Sequence, residues 1–397
     1  MIEKTKTGYK QTKLGWIPED WEVKQLGQFG EFKNGINKSK EDFGHGVPFV
    51  NLMDVFGKPI VQELNLSLVN ANENEVENYS LQKGDVLFVR SSVKPSGVGL
   101  TSLINVDIPN TVYSGFLIRF RQHETLLEHG FKRYCFYNTR FRNNLVRKSS
   151  SSANTNINQD SLQKLEICLP PLSEQQKIAQ ILSTWDKAIG KLEALIAQKQ
   201  KRKKGLMQAL LTGKKRFKEF NDNWIQKRIK DVLTIGSGKD YKHLNQGEIP
   251  VYGTGGLMTY VDEYLYNGTS VGIGRKGTID KPLLLKGKFW TVDTLFYTHS
   301  FKEVVPEYIF YLFLTIPWKL YNEASGLPSL SKKTIEGIKV LIPPFKEQQK
   351  IATVLSVADD EINQLQTQLN QVKEQKKGLM QKLLTGEVRV RLNEKHE

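Results

Sequence analysis

With 397 residues, 39% of them apolar and 25% charged, the chain has room for two to three domains and the composition of a soluble globular protein. Its two cysteines, Cys135 and Cys168, exclude a disulfide framework and a cysteine-based zinc site, and they fit a reduced, cytoplasmic setting. Lysine and arginine number 57 against 42 aspartates and glutamates, and the resulting net charge of +15 favours polyanionic partners through counterion release.

Residues 1–10 are polar and predict no secretory leader. The first globular segment, 1–169, opens on Trp21 to Gly27 and carries a strand-like run from Asp85 to Arg90. Arg90-Ser91-Ser92-Val93-Lys94 follows that run, then Gly97-Val98-Gly99, a glycine-punctuated turn able to present cations and hydroxyls to DNA. The aromatic stretch Tyr134 to Arg142 reads as helix packed on a core rather than a base-stacking platform, with Arg140, Arg142 and Arg147 available to phosphates from its exposed side. The loop from Ser149 to Asn158, which includes Ser151, Asn154 and Asn156, suits phosphate anchoring and base-edge hydrogen bonds. A mobile polar loop has the same composition. Glu22 and Lys24 echo a fragment of a nuclease motif, but Asp20 lies too near to serve from a separate strand.

Two long helices are predicted, one from each copy of an internal repeat. Pro170-Pro171-Leu-Ser-Glu-Gln-Gln-Lys-Ile-Ala179 returns as Pro343-Pro344-Phe-Lys-Glu-Gln-Gln-Lys-Ile-Ala352, and Lys203 to Gln208 and Leu210 to Gly213 return at the same offset of 173 positions. Each copy starts after a proline pair and stops at a Thr-Gly suited to a helix C-cap. In the first, Ile178, Leu182, Trp185, Ile189, Leu192, Ile196 and Leu206 alternate in steps of four and three, interrupted by Lys199 and Lys203. In the second, Ile351, Leu355, Ile362, Leu365, Leu369, Val372 and Leu379 do so, with Lys376 in the seam. This is coiled-coil spacing, and two matched seams are most simply satisfied by pairing with each other. Gly205 and Gly378 inside the patterns are candidates for a bend. The basic run Lys199 to Lys204, with Lys214, Lys215, Arg216 and Lys218, is either a solvated helix end or a contact to DNA or an acidic partner.

The second globular segment, 217–342, opens on Trp224 to Lys230 and holds a strand-like run from Phe289 to Tyr297. Gly272-Ile273-Gly274-Arg275-Lys276-Gly277 matches the dinucleotide-binding glycine pattern, but no helix opens after it. A turn presenting Arg275 and Lys276 to DNA remains, as does a plain structural turn. Lys239, and Ser329, Lys332 and Lys333 of the loop from Ser325 to Lys333, complete the candidate DNA-contacting set. Tyr308 to Leu314 is aromatic-rich and reads as buried helix. The longest apolar run, Ile309 to Ile316, is too short to span a bilayer, so no membrane partner is expected. Between their similar beginnings and ends the two segments barely match.

Gly15-Trp-Ile-Pro-Glu-Asp-Trp-Glu-Val23, the twice-used Pro-Pro-x-x-Glu-Gln-Gln-Lys-Ile-Ala, Lys83 to Arg90 and Gly272 to Thr278 together resemble type I restriction–modification specificity subunits. The resemblance runs over essentially the whole chain. It implies two α/β (α+β) target-recognition domains, 1–169 and 217–342, joined by helices in 170–216 and 343–397 that form an antiparallel coiled coil with pseudo-two-fold symmetry. It further implies that each domain reads one half of a bipartite site in double-stranded DNA. Two methyltransferase subunits would bind S-adenosylmethionine and methylate adenine N6. Where a nuclease accompanies them, two restriction subunits would use ATP and Mg. Because the segments have diverged, an asymmetric target is expected.

No catalytic residue, cofactor or metal site is expected on this chain. There is no Walker A sequence, the Pro-Pro pairs lack the preceding Asn or Asp of an adenine methyltransferase, and the six histidines show no ligand spacing. The competing reading is a coiled-coil scaffold whose arms bind protein.

Overall fold

The computed structural model describes residues 6–61, 66–151 and 153–391, which form two compact units. Residues 1–191 and 370–397 belong to the first unit, and 192–369 to the second. The side chain of Ser151 and residues 392–397 at the end of the expected C-terminal segment lie outside the described residues.

In the first unit a five-stranded sheet runs in the order Gly30–Asn34, Leu117–Gln122, Val86–Val89, Thr101–Ile104, Ile60–Val61. Its pairs are antiparallel except the last, where Leu103 sits opposite Ile60. Val86 to Val89 are all buried, as expected of a central strand flanked on both faces. Against one face packs a phenylalanine-rich core that includes Phe32, Phe88, Phe120 and Phe136. Phe88 and Phe136 meet edge-on with centroids 5.0 Å apart, the geometry that ring quadrupoles favour.

The second unit repeats this topology with one strand fewer: Thr234–Ser237, Leu295–His299, Ser270–Gly274, Leu283–Leu285. In each unit a parallel pair also recurs in a second sheet, Val112 opposite Phe49 and Val251 opposite Trp290. The similar beginnings and ends of the two arms are paired strands. Glu22–Gln25 runs antiparallel to Glu166–Leu169, and Ile225–Arg228 antiparallel to Lys339–Ile342. The run from Phe289 to Tyr297 is not one strand. A turn at Val292, whose carbonyl accepts the Leu295 N–H at 2.9 Å, divides it between Lys288–Thr291 and Leu295–His299, which belong to different sheets.

Two long helices, α1 (Leu172–Leu210) and α2 (Phe345–Leu384), begin directly after the proline pairs. Both stop where Gly213 and Gly386 take φ of +70° and +69°, the left-handed conformation that only glycine adopts cheaply. Gly386 is also fixed by space, since a Cβ there would meet Pro18 Cδ at 2.4 Å. Gly205 and Gly378 lie inside uninterrupted helix.

Each unit contains part of α1 and the antiparallel part of α2. In the first, Ile178 and Leu182 share a core with Leu379, Leu383 and Leu384. In the second, Leu206 and Leu210 share one with Ile351 and Leu355. The seam residues Trp185, Ile189, Leu192, Ile362, Leu365 and Val372 are half-buried, and Ile196 and Leu369 are buried. The lysines that interrupt the seams are paired: Lys203 with Asp359, Lys199 with Glu361, and Lys376 with Asp186 at 2.5 Å. The aromatic stretches are core. Tyr134, Phe136, Tyr308 and Phe313 are buried, although Phe131–Arg133 and Cys135–Tyr137 are 3-10 turns and the α-helix starts only at Thr139.

Candidate nucleic-acid interface

The polar loops anticipated in the first arm come together as a small sheet. Ser91–Ser92 pairs with Thr155–Asn156, which pairs with Ser150–Ser151. Glycine turns and short Ser/Asn strands leave this sheet at the edge of the unit, with Arg90, Lys94 and Asn154 exposed and Ser91, Ser92 and Asn156 half-buried. The Arg90 carbonyl accepts the Ile157 N–H at 3.0 Å, and its guanidinium donates to the Gly115 carbonyl at 3.2 Å. Asn156 donates to the Asn154 carbonyl at 3.0 Å. Ser91, Ser92, Lys94 and Asn154 all line one groove of about 720 Å³.

The second arm assembles its residues in the same way. Lys276 bridges to Ser329, and the Arg275 carbonyl accepts the Leu330 N–H at 2.9 Å, the counterpart of Arg90 and Ile157. Ser270–Gly274 ends in a turn with no helix after it, so Gly272 belongs to the strand, Gly274 and Gly277 serve the turn, and the pattern forms no dinucleotide site. A Cβ on Gly274 would meet the Thr278 carbonyl at 2.0 Å, which is why this turn is tight enough to bring Arg275 and Lys276 beside the loop. Arg275, Lys276, Ser329 and Lys332 line a groove of about 380 Å³. The Arg275 guanidinium lies 5.9 Å from the Phe296 ring centre and donates to the Asp293 carbonyl at 3.4 Å. Burial, and then the nearby charge of Lys332, hold the His299 imidazole below its usual pKa.

Two residues of the set stand apart. Lys239 is exposed beyond Ser237 and does not line that groove, its backbone being held by Thr291 and Trp290. Lys333 lines a different groove, with Tyr321 and Glu323. Among the arginines proposed to reach phosphates, Arg140 donates to the Trp16 carbonyl at 3.2 Å and Arg142 to the Val98 carbonyl at 2.7 Å, so both are spent on packing. Arg147 is exposed. Of the basic run, Lys199, Lys203 and Arg216 are taken by Glu361, Asp359 and Glu347.

A second set of residues passed unnoticed in the sequence. In the first unit the buried Glu174 accepts the Trp21 indole N–H at 2.8 Å and two bonds from Arg389, which also binds Asp20. In the second, Glu347 accepts from Trp224 at 3.0 Å and from Arg216 at 3.0 and 2.7 Å. The neighbouring Gln175 accepts the Glu128 N–H and donates to the Leu126 and Pro170 carbonyls; Gln348 does the same with Val305, Glu303 and Pro343. Tyr134 donates to Asp186 at 2.7 Å and Tyr311 to Asp359 at 2.8 Å. The signal was present: Arg216 and Arg389, like the two Glu-Gln-Gln runs, are 173 positions apart.

Among the described residues, no group of three or more His, Cys, Asp or Glu could hold a metal ion, and no helix is long and apolar enough to cross a membrane. The family model for the type I restriction modification DNA specificity domain matches residues 18–200 and 221–374. In Methanocaldococcus jannaschii, the protein provisionally named the type I restriction enzyme MjaX specificity subunit is 27% identical, over 96% of this chain and 97% of its own length. The type I restriction enzyme EcoKI specificity subunit of Escherichia coli K12 is 22% identical, over 94% and 90%. The crystal structure of a type I restriction–modification S subunit from M. genitalium superposes with a TM-score of 0.60 at 17% identity, covering 92% of this chain and 96% of that one.

Proposed function

The chain belongs to the type I restriction modification DNA specificity family, and on that premise we propose that its two arms each read one half of an asymmetric bipartite site in double-stranded DNA. In this reading the target-recognition domains are 1–169 and 217–342, and the helices of 170–216 and 343–397 set the spacing of the half-sites. The helices also form the platform for two methyltransferase subunits, with two restriction subunits joining where a nuclease is present. Complex assembly is the subject of a solved type I system with a TM-score of 0.60 and 14% identity to this chain, covering 94% of this chain and 99% of that one.

One observation carries the reading. The two units repeat the same topology and the same Trp–Glu–Arg contacts, yet their equivalent edges differ: one groove is lined by Ser91, Ser92, Lys94 and Asn154, the other by Arg275, Lys276, Ser329 and Lys332. A duplicated frame with divergent edges suits the reading of two different sequences. Arginine and lysine match guanine O6 and N7, and asparagine matches adenine N6 and N7. The net charge of +15 supplies the sequence-independent attraction.

The chain itself performs no catalysis in this account and works in the cytoplasm. S-adenosylmethionine would sit on the methyltransferase subunits, and ATP and Mg on the restriction subunits. Purified chain, methyltransferase subunits and S-adenosylmethionine incubated with DNA test the division of labour. N6-methyladenine should form only when both proteins are present. Methyl transfer by this chain alone would overturn it, as would unchanged transfer by the methyltransferase without it.

A further inference from the structure

The groove beside Ser91 and Ser92 exposes apolar surface that folding alone does not explain. Met53 is 70% exposed, Val93 81% and Phe116 57%, and all three line the same groove. Contiguous exposed apolar side chains of this kind mark binding surfaces. They are also held in place. The Phe116 carbonyl accepts the Arg90 N–H at 2.9 Å, and a Cβ on Gly97 would meet the ring of Phe56, another lining residue, at 2.9 Å. No carboxylate lines this groove, whereas Lys94 does. An apolar floor with a cationic and hydroxyl rim suits a partner that is polyanionic outside and locally apolar within reach.

The major groove of DNA meets that description, because the C5-methyl of thymine is the apolar group that the standard base pairs present there. The second arm is built differently at the equivalent place. Arg275 donates its N–H to the Thr294 carbonyl at 2.7 Å, so threonine stands where the first arm has Phe116. We propose that Met53, Val93 and Phe116 seat the 5-methyl of a thymine, so that the half-site read by the first arm contains an A·T pair recognised through that methyl. This rests on the DNA-reading function above.

The test uses the full chain assembled with its methyltransferase subunits. The methylated motif is mapped first, and binding is then measured on duplexes carrying that motif, with each thymine in turn replaced by deoxyuridine, which removes only the methyl. One replacement should weaken binding by the wild-type chain about fourfold, the scale of one methyl group returned to water. Phe116→Ala should bind the deoxyuridine and thymine duplexes equally. Val93→Ala and Met53→Ala, at the most exposed positions, should narrow the difference without disturbing the fold. Equal wild-type binding at every thymine would overturn the methyl contact and leave the DNA-reading function standing. So would discrimination that survives all three substitutions. Loss of methyltransferase association in these variants would assign the groove to a protein and overturn the proposal. A failure to obtain any motif would overturn both readings.

Discussion

Arg389, just past the end of α2, grips Glu174 in the first turn of α1 through bonds of 2.8 and 2.9 Å. Glu174 is 1% exposed and also accepts the Trp21 indole N–H. Burying a carboxylate is costly unless its oxygens are satisfied, so this cluster closes the first unit only while it is complete. The pairing with Glu174, and then with Asp20, pushes the Arg389 guanidinium above its usual range and keeps it charged at any working pH.

Arg389→Ala should therefore destabilise the first unit by about 1–3 kcal/mol, the cost of leaving a buried acceptor short of its partner. Arg216→Ala should do the same in the second unit through Glu347. Denaturant unfolding followed by tryptophan fluorescence reads both effects, since Trp21 and Trp224 are themselves ligands of the two carboxylates. Glu174→Gln combined with Arg389→Ala should cost less than the sum of the single changes.

Within the second unit, the pairing of the helices can be checked by charge exchange. Lys203→Asp places two carboxylates beside each other, next to the Tyr311 hydroxyl, and should lower stability by about 1–2 kcal/mol. Adding Asp359→Lys should recover at least half of the loss, and the recovery should shrink with added salt. Thermal unfolding of the three proteins at low and high salt measures it.

The grooves make distinct predictions for DNA. Lys276→Ala should weaken binding on all sequences and reduce the slope of log affinity against log salt by about 1, the signature of one lost phosphate contact. Arg275→Ala should cost about 1–3 kcal/mol on the specific site and relax the sequence at one position of one half-site. Fluorescence anisotropy over a salt series, on specific and unrelated duplexes, separates the two behaviours.

Both cysteines are buried, and burial pushes the Cys168 thiol up to about 11 and that of Cys135 further in the same direction. Thiol reagents at pH 8 should label neither in the native protein, and labelling should follow unfolding. Because the folded state holds these protons more tightly than an unfolded cysteine with a pKa of about 8.5, stability should fall as the pH rises from about 8.5 toward 11. Denaturation midpoints across that range, compared with those of Cys168→Ala, test the sign.

Much of this was readable in the chain because periodicity and repetition are local signals. The seam from Ile178 to Ile196 and its copy from Ile351 to Leu369 declare amphipathic helices, and Gly213 and Gly386 mark where they stop. What stayed hidden depends on partners distant in sequence. Lys203 reads as a polar break in its own helix, and only the antiparallel neighbour supplying Asp359 makes it part of the packing. The shared sheet order of the two arms was hidden for the same reason, since equivalent strands such as Val86–Val89 and Ser270–Gly274 keep burial and pairing but share only one residue identity, Val86 with Val271. For the site, composition identified the right loops and strands. It could not tell that Lys332 and Lys333, adjacent in sequence, line different grooves, nor that Phe116 and Val93 join Ser91 and Ser92 in one.

The central claim is that one chain specifies two different half-sites. Its most direct test is to map N6-methyladenine in the DNA of a host expressing this chain with its methyltransferase subunits, against the methyltransferase alone. The account predicts one new motif that appears only with this chain, made of two unlike halves separated by an unread spacer. With both proteins soluble and expressed, no new motif, or one that is palindromic or uninterrupted, would contradict it.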